Sequence, residues 1–314
     1  MTAGAVVVNF NGGEDLLVCL EALRTQTMAV DVVLVDCAST DGSQALAERP
    51  PVGVRGVPLR ENAGYAGGCA AGLAALKGEI EIVGFFNPDC FPEPGFFAAC
   101  SEVLAQRPRV GGVAGRLLRP GKEILDSCGQ TLTPLLLRVR DRGYGGPAEG
   151  RFSEPASVLA ACGAAMVYRR AALEAAAVAG EVFPREYFAF WEDLDLGWRV
   201  NNAGWSVLYE PRAVAVHRRS ATALPGSSRL IFRRAPALAA CILVNRWATL
   251  LRNLHPVDFW PRLPVLLPGE LAMLAWVVLR RPTVLGALRR TWPRVSRAAA
   301  QRRLIPRRRL REVV

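Results

Sequence analysis

Short apolar runs alternate with helical patterns through the N-terminal third of the chain. The runs predict strands at residues 4–9, 32–36, 54–59 and 80–87. The segments between them predict helices at residues 14–25, 43–48 and 67–77. Strands that are apolar on both faces and separated by helices are typical of a parallel sheet covered on both sides. Because parallel crossovers are right-handed, we predict a doubly wound, mainly parallel α/β domain.

The pattern becomes less regular between residues 112 and 217. Strands are expected near residues 113–118, 158–167, 207–208 and 213–217, and a helix at residues 194–202. Glycines and prolines within residues 138–152 predict a mobile loop. The α/β domain is expected to cover residues 1–220, and a helical, apolar and basic extension to cover residues 221–314.

Composition places the chain among globular proteins. The 314 residues are 51% hydrophobic and 21% charged, which excludes a disordered or collagen-like chain. The eight cysteines include no CxxC pair, so neither a zinc ribbon nor a thioredoxin-like site is indicated. The N-terminus enters a strand pattern directly, so no signal peptide is expected.

The charge is distributed unevenly along the chain. Residues 1–217 hold 19 basic and 25 acidic residues, whereas residues 218–314 hold 20 arginines and three acidic residues. This change of charge, with Pro225–Gly226, marks the expected domain boundary. Because the arginines alternate with long apolar runs, we expect an anionic membrane surface as the partner of the extension, and no nucleic acid.

The extension is expected to lie on the membrane without crossing it. Its longest uncharged-looking run, residues 263–279, has 17 residues and contains Pro264, Pro268 and Glu270. A helix of that length measures about 25 Å, short of the ~30 Å hydrocarbon core. Residues 235–251 are interrupted by Asn245 and Arg246. We therefore predict a cytoplasmic protein on the inner face of the cell membrane, the alternative being a helical subdomain that packs on the body or forms a dimer.

Polar residues follow each of the first four predicted strands, where ligands bind in such sheets. Residues 36–43 (DCASTDGS) could accept hydrogen bonds from a base and a ribose, or Asp41 and Ser43 could cap a helix. Residues 61–68 (ENAGYAGG) offer backbone N–H groups to a pyrophosphate, or form an ordinary turn. Asp89, in FFNPDC, could hold a divalent cation or belong to an Asx turn.

A cluster of acidic residues opens the helix predicted near residue 194. The sequence FAFWEDLDLGWR places Glu192 and Asp193 after an aromatic run, where one carboxylate could act as a general base. The alternative is that acids merely suit the first turn of a helix. Asp195 and Arg199 are four residues apart and are expected to pair. His217 ends an apolar strand, where a lone histidine is more often an ordinary surface residue, and it becomes a candidate metal ligand when it is considered beside Asp89.

Together these motifs resemble the family 2 glycosyltransferases of the GT-A fold, especially the rhamnosyltransferase-like branch. The resemblance covers roughly residues 4–220. The matching segments, in the family's order, are residues 7–12 (VVNFNG), 35–43 (VDCASTDGS), 62–68 (NAGYAGG), 87–89 (NPD), 163–170 (GAAMVYRR), 192–199 (EDLDLGWR) and His217. Two departures, Cys37 and Cys69–Ala70, replace hydrogen-bonding residues near the expected donor.

The resemblance implies a role for each matched residue. Asp36 would hold the nucleotide base and Asp41 the ribose, whereas Asp89 and His217 would hold Mg²⁺ or Mn²⁺ at the pyrophosphate. Asp193 would be the general base, with Glu192 beside it on the acceptor or the sugar. The remaining residues expected at the donor site are Asn9, Asn11, Ser39, Asn62, Gly64, Gly67 and Asn87.

The expected activity is metal-dependent transfer of a sugar, with inversion, from a nucleoside-diphosphate sugar to a hydroxyl of a cell-envelope or lipid-linked glycan. The resemblance favours dTDP-rhamnose as the donor. A nucleotidyltransferase is the alternative enzyme, although no Lys or Arg follows the first strand directly. A membrane-attached, non-catalytic glycan-binding or scaffold protein is the alternative outside enzymes.

Overall fold

A computed structural model describes residues 1–219 and 235–313. The strands of the main sheet are β1 (Ala3–Asn9), β2 (Val30–Asp36), β3 (Val54–Pro58), β4 (Ile82–Phe86), β5 (Cys90–Pro92), β6 (Val110–Leu118), β7 (Leu125–Ser127), β10 (Ala156–Val158), β11 (Ala165–Arg169) and β12 (Ser206–His217). A separate hairpin joins β8 (Gln130–Leu132) to β9 (Val139–Asp141). The helices of this part are α1 (Asp15–Arg24), α2 (Ala45–Glu48), α3 (Gly64–Ala75), α4 (Phe96–Gln106), α5 (Arg170–Ala175) and α6 (Glu192–Asn202).

The main sheet is mixed and mainly parallel, with strand order β10-β12-β6-β11-β4-β1-β2-β3. Strands β3, β2, β1 and β4 pair in parallel, and so do β6 and β12. Strand β11 runs antiparallel to both β4 and β6. The predicted α/β class is confirmed, and the carboxyl ends of β1, β2 and β4 meet at one edge of the sheet.

Two strand predictions in the irregular stretch are corrected by the structure. The predicted strand at residues 158–167 is interrupted, because β10 ends at Val158 and β11 begins at Ala165. The two short strands predicted at residues 207–208 and 213–217 form one strand, β12, with a register shift between Glu210 and Val214. The predicted loop at residues 138–152 contains β9, which pairs with β8. These segments are too short for hydrophobic periodicity to delimit.

The C-terminal extension is helical where the structure describes it, as predicted. Its helices are α7 (Pro236–Asn253), α8 (Pro256–Phe259), α9 (Leu263–Arg280), α10 (Pro282–Thr291), α11 (Pro293–Gln301) and α12 (Leu310–Val313). Ala240 and Val244 of α7 pack against Val284 of α10 and Val295 of α11 in a core of their own. The domain boundary expected near Pro225–Gly226 lies outside the described residues.

The helical stretch Pro256–Arg280 is longer than the sequence predicted. It has 25 residues, because α8, a short 3₁₀ turn and α9 follow one another, and only 11% of its most apolar window is buried. By length and composition this stretch is able to cross a membrane. Within it, Glu270 is hydrogen-bonded to the indole of Trp247 and paired with Arg246, which ties α9 to α7.

Candidate active site

Asn9 organises the turn that follows β2. It is buried at the end of β1, and its amide donates to Asp36 Oδ1 (2.7 Å), Ser43 Oγ (2.8 Å) and Ser39 Oγ (3.1 Å). Asp36 also accepts the Ser39 hydroxyl (2.6 Å) and backbone N–H (3.0 Å). These hydrogen bonds join the ends of β1 and β2. Three donors hold the carboxylate of Asp36, which is expected to bind the nucleotide base.

Asn11 and Asp41 extend this network toward solvent. Asn11 adopts a positive φ of 54° and accepts the Thr40 N–H at 2.8 Å. Asp41 accepts the Gly13 N–H (2.9 Å) and the Ser43 hydroxyl (2.6 Å). Desolvation acts to raise the pKa of Asp41, but these hydrogen bonds hold it below its usual value. The exposed carboxylate, which belongs to the predicted nucleotide motif, is thus ionised.

The glycine-rich segment contacts the loop that precedes α6. Gly64 begins α3 with φ +70°, and a Cβ there would lie 2.2 Å from the Phe188 carbonyl oxygen. Asn62 accepts the Gly64 N–H at 2.9 Å, and the Ala66 N–H donates to Phe188 O at 3.1 Å. Two of the N–H groups expected at the pyrophosphate are therefore used within the protein, and Gly67 packs close to Ala63.

Asp89 and His217 lie face to face at the end of β4. Pro88 ends that strand, and β5 then pairs with β12 so that Cys90 lies opposite His217. This pairing places His217 Nε2 at 3.4 Å from Asp89 Oδ1. The other ring nitrogen, Nδ1, lies 2.8 Å from Asp126 Oδ2. The two predicted metal ligands are thus adjacent.

Asp126, in β7, is a site residue that the sequence did not reveal. It is fully buried, and it binds both His217 and Arg219. Desolvation acts to raise the pKa of Asp126, but the His217 and Arg219 contacts hold it below its ordinary value. Arg219 also pairs with Asp141 of β9 at 3.0 Å. The ionised Asp126 fixes the orientation of the His217 ring.

Asp193 is held at the start of α6 by donors from two other segments. Its Oδ2 accepts the Gly163 N–H and the Gln130 side-chain amide, both at 2.8 Å, and Oδ1 accepts the Leu194 N–H at 2.8 Å. Burial raises the pKa of Asp193, and these hydrogen bonds act in the opposite direction. The carboxylate is fixed in position, and it is more basic than an exposed aspartate.

Glu192 has a different environment from its neighbour. Its side chain is buried, and within residues 1–219 and 235–313 no hydrogen-bond partner reaches Oε2. Burial, followed by repulsion from Asp193, raises the pKa of Glu192 well above its usual value. Burial thus raises the pKa of both adjacent carboxyl groups, and perturbed carboxyl groups of this kind are common at catalytic sites.

The loop before these acids is strained and is held by α7. Phe188, Phe190 and Trp191 have positive φ angles of 57°, 71° and 75°. Such angles are costly for residues with side chains. The Asn245 amide donates to the carbonyls of Tyr187 (2.7 Å), Ala189 (2.9 Å) and Phe190 (2.8 Å). The C-terminal extension thus helps to position Glu192 and Asp193.

A buried ionic network joins α7 to α6 one turn further on. Arg252 pairs with Asp195 (3.0 Å) and Glu186 (3.1 Å), and the predicted Asp195–Arg199 pair is present at 2.7 Å. Asn253 also donates to Asp195 at 2.8 Å. Asp195 is therefore a structural residue, and the extension and α6 are packed through it.

Part of the predicted site lines one cavity of about 640 Å³. It is lined by Asn87, Asp89, Glu192, Asp193 and His217. The lining does not include the other predicted donor residues, which lie at the β1, β2 and α3 ends: Asn9, Asn11, Asp36, Ser39, Asp41, Asn62, Gly64 and Gly67. Cavity residues that the sequence did not indicate include Gln130, Asp141 and Arg219.

Comparison with known proteins identifies the family. The sequence model that describes glycosyl transferase family 2 matches residues 5–176 of this chain. The chain belongs to glycosyl transferase family 2. An N-acetylglucosaminyl-diphospho-decaprenol L-rhamnosyltransferase of Mycobacterium tuberculosis, found in two strains, is 30% identical over 243 residues, which cover 68% of this chain and 75% of that protein.

Solved glycosyltransferases share the fold. The mannosyltransferase PcManGT from Pyrobaculum calidifontis, in complex with GDP-Man and Mn²⁺, has a TM-score of 0.55 and 21% identity over 96% of this chain and 86% of that one. S. aureus TarS 1-349 with UDP-GlcNAc has a TM-score of 0.58 and 16% identity, covering 96% and 84%. GalNAc-T7 with UDP, GalNAc and Mn²⁺ has a TM-score of 0.61 and 15% identity, covering 82% and 48%.

The geometry of this family 2 enzyme fits a divalent cation. Asp89 and His217 offer an oxygen and a nitrogen that face each other across 3.4 Å, and Asp126 holds the far side of the imidazole. Within the described part of the chain, no group of three or more His, Cys, Asp or Glu residues is arranged to hold a metal. A cation bound here would have few protein ligands, which is typical where substrate phosphates complete the coordination shell.

Proposed function

We propose that this glycosyltransferase transfers rhamnose from dTDP-rhamnose to a hydroxyl of a lipid-linked glycan acceptor, with inversion at the anomeric carbon. The rhamnosyltransferase relative, whose name specifies a diphospho-decaprenol acceptor, supports the transferred sugar and the class of acceptor. The observation that carries the proposal is that Asp193 and the Asp89–His217 pair line the same cavity. A proton acceptor and a pyrophosphate site are the two elements that a direct displacement requires.

The residues divide the chemistry between them. Asp193 accepts the proton of the attacking hydroxyl, because its carboxylate is fixed and its pKa is raised by burial. Asp89 and His217 would hold Mg²⁺ or Mn²⁺, which would neutralise the negative charge of the departing nucleoside diphosphate. In this scheme no side chain acts as a nucleophile, so the hydroxyl displaces the nucleotide directly and the configuration at the anomeric carbon inverts.

A ligand panel tests the donor and the metal together. The melting temperature is measured with dTDP-rhamnose, UDP-GlcNAc, GDP-mannose and the free nucleotides, each with Mn²⁺ and with EDTA. We expect the largest shift with dTDP-rhamnose and Mn²⁺, and an inverted linkage in the NMR spectrum of the product. Equal shifts in EDTA would contradict the metal requirement. Donor binding without transfer to any acceptor would favour a non-catalytic glycan-binding protein.

We also propose that the extension holds the enzyme on the cytoplasmic face of the membrane without crossing it. Helix α9 exposes Val265, Leu267, Leu271, Val278 and Leu279, and its one acidic residue, Glu270, is paired with α7. A helix that lies in the interface buries such a face and keeps its arginines near anionic headgroups. Flotation with anionic liposomes at low salt, followed by release at high salt or in carbonate, is the expected result. Release by detergent alone would show that the stretch Pro256–Arg280 crosses the membrane.

A further inference from the structure

The active-site cavity is closed on one side by the C-terminal extension. Its lining passes from Asp193 to apolar side chains of α7 and α9, namely Ile242, Leu243 and Met273. Leu136, from the turn between β8 and β9, completes this wall. The cavity is therefore carboxylate-rich where it meets the sheet and α6, and it carries apolar side chains beside Arg246 and Glu270 where it meets α7 and α9.

A second cavity of about 330 Å³ continues on the far side of this wall. It lies between α7, α9 and α11 and is lined almost entirely by apolar side chains, among them Trp247, Leu250, Leu267 and Trp292. Arg246 and Glu270 line both cavities. The active site and this apolar groove, which we call the α7–α9 groove, thus meet at one ion pair.

Positive charge exceeds negative charge at that junction. Arg246 pairs with Glu270 and also donates to the Leu136 carbonyl. Arg138 also lines the active-site cavity. The pKa of Arg246 is lowered, because burial and the positive charge of Arg138 together outweigh the opposite effect of Glu270. The charge of Arg138 therefore acts on the Arg246–Glu270 pair, and an additional anion beside these two arginines would be stabilised.

We propose that the α7–α9 groove binds the isoprenoid chain of a lipid-diphosphate acceptor, with the diphosphate at Arg138 and Arg246 and the sugar hydroxyl at Asp193. The placement of the sugar rests on the proposed function. Three zones follow one another in the structure: carboxylate, basic and apolar. The acceptor has three matching parts in the same order: sugar hydroxyl, diphosphate and hydrocarbon. A bulk phospholipid explains the exposed face of α9, but it does not explain a groove that shares Arg246 and Glu270 with the active-site cavity.

The groove can be tested with a probe that contains no sugar. Farnesyl diphosphate is titrated in EDTA, with inorganic pyrophosphate and farnesol as separate controls, and binding is followed by tryptophan fluorescence, since Trp247 and Trp292 line the groove. We expect farnesyl diphosphate to bind at least tenfold more tightly than either control. Equal binding of pyrophosphate would overturn the proposal, because the chain would then contribute nothing.

Two pairs of variants locate the bound probe. Leu267 lines the groove and is 51% exposed, whereas Leu271, on the same helix, is 56% exposed and lines neither cavity. We expect Leu267→Glu to weaken binding of farnesyl diphosphate at least tenfold and Leu271→Glu to leave it within about twofold. Arg138→Ala should weaken it about tenfold, and Arg140→Ala, an exposed neighbour outside the lining, should not.

The possible failures are distinguishable. If both glutamate variants weaken binding equally, the probe binds the general apolar surface of α9 and the groove proposal is wrong. If the probe binds as expected but no nucleotide sugar supports transfer, the proposed function is wrong and the groove proposal is still supported. If a short, soluble acceptor is glycosylated but the probe does not bind, only the groove fails.

Discussion

The two walls of the active-site cavity are held by different kinds of structure. On the proposed metal side, Asp126 and His217 lie in strands and Asp89 directly precedes one, so backbone pairing sets their spacing. On the proposed acceptor side, Glu192 and Asp193 follow a loop with three positive φ angles. That loop is held by Asn245, more than fifty positions away along the chain.

This difference indicates how each wall should respond to change. Sheet pairing fixes the metal side through many backbone hydrogen bonds, so single substitutions there should alter chemistry more than shape. The acceptor side depends on a few side-chain contacts with the extension, and strained backbone persists only where its surroundings hold it. Loss of one such contact should therefore displace the general base while leaving metal binding intact.

The largest effect is expected from Asp193→Asn. The amide keeps the shape of the side chain but removes the proton acceptor, and general bases contribute about 10²–10⁴-fold to rate. We expect kcat to fall by that factor while donor affinity, measured by titration, is retained. If kcat falls less than about tenfold in Asp193→Asn while Glu192→Gln loses activity, the roles assigned to the two carboxylates must be exchanged.

Arg252→Met should cause the largest loss of stability. It leaves Asp195 and Glu186 buried without their shared cation, and breaking a buried pair in this way costs about 3–5 kcal/mol. Denaturant unfolding measures the change. The matched control is Arg297→Met, which removes a 61% exposed partner of Glu186 and should cost at most ~1 kcal/mol. Equal losses would show that the α6–α7 network does not join the two parts.

Asp126→Asn should act on the metal side alone. Residues that orient a metal ligand typically contribute about 10–100-fold to metal affinity. We expect the Mn²⁺ dissociation constant, measured by electron paramagnetic resonance with dTDP present, to rise by that factor, and activity to recover at high Mn²⁺. Asp141→Asn is the control, because Asp141 shares Arg219 with Asp126 but makes no contact with His217 in the described residues. Similar changes in both variants would assign the effect to Arg219 instead.

Asn245→Leu should act on the acceptor side alone. The substitution keeps the γ-branched shape of the side chain and removes the hydrogen bonds to the three loop carbonyls, which should lower stability by about 1–3 kcal/mol. We expect kcat to fall about tenfold, since small displacements of a positioned base are costly. Mn²⁺ affinity should stay unchanged. A parallel loss of Mn²⁺ affinity would mean that the two walls are not independent.

The same division explains what the sequence was able to predict. The first four strands and the residues that follow them were predictable, because apolar runs and turn residues are local signals. Asp126 lies in a three-residue strand without periodicity, so its contact with His217 depends on sheet register alone. Asn245 was visible only as an interruption of an apolar helix. Its partners are backbone carbonyls, whose identity no side-chain pattern encodes.

The smallest expected effect concerns Glu192, and it is an effect on the stability of the protein rather than on the reaction rate. Its pKa in the folded protein is well above its usual value because of burial and Asp193, so the folded state holds this proton more tightly than the unfolded state does. Stability is therefore lost as pH rises above the unfolded pKa of about 4.3, and the loss continues until the folded carboxyl ionises. Glu192→Gln cannot ionise and should be more stable than the wild type at pH 8, by on the order of 2–4 °C in Tm. The gap should close near pH 4, where both forms are neutral. An equal difference in Tm at both pH values would show that burial does not destabilise the Glu192 carboxylate. The strain on the acceptor side would then lie in the backbone alone.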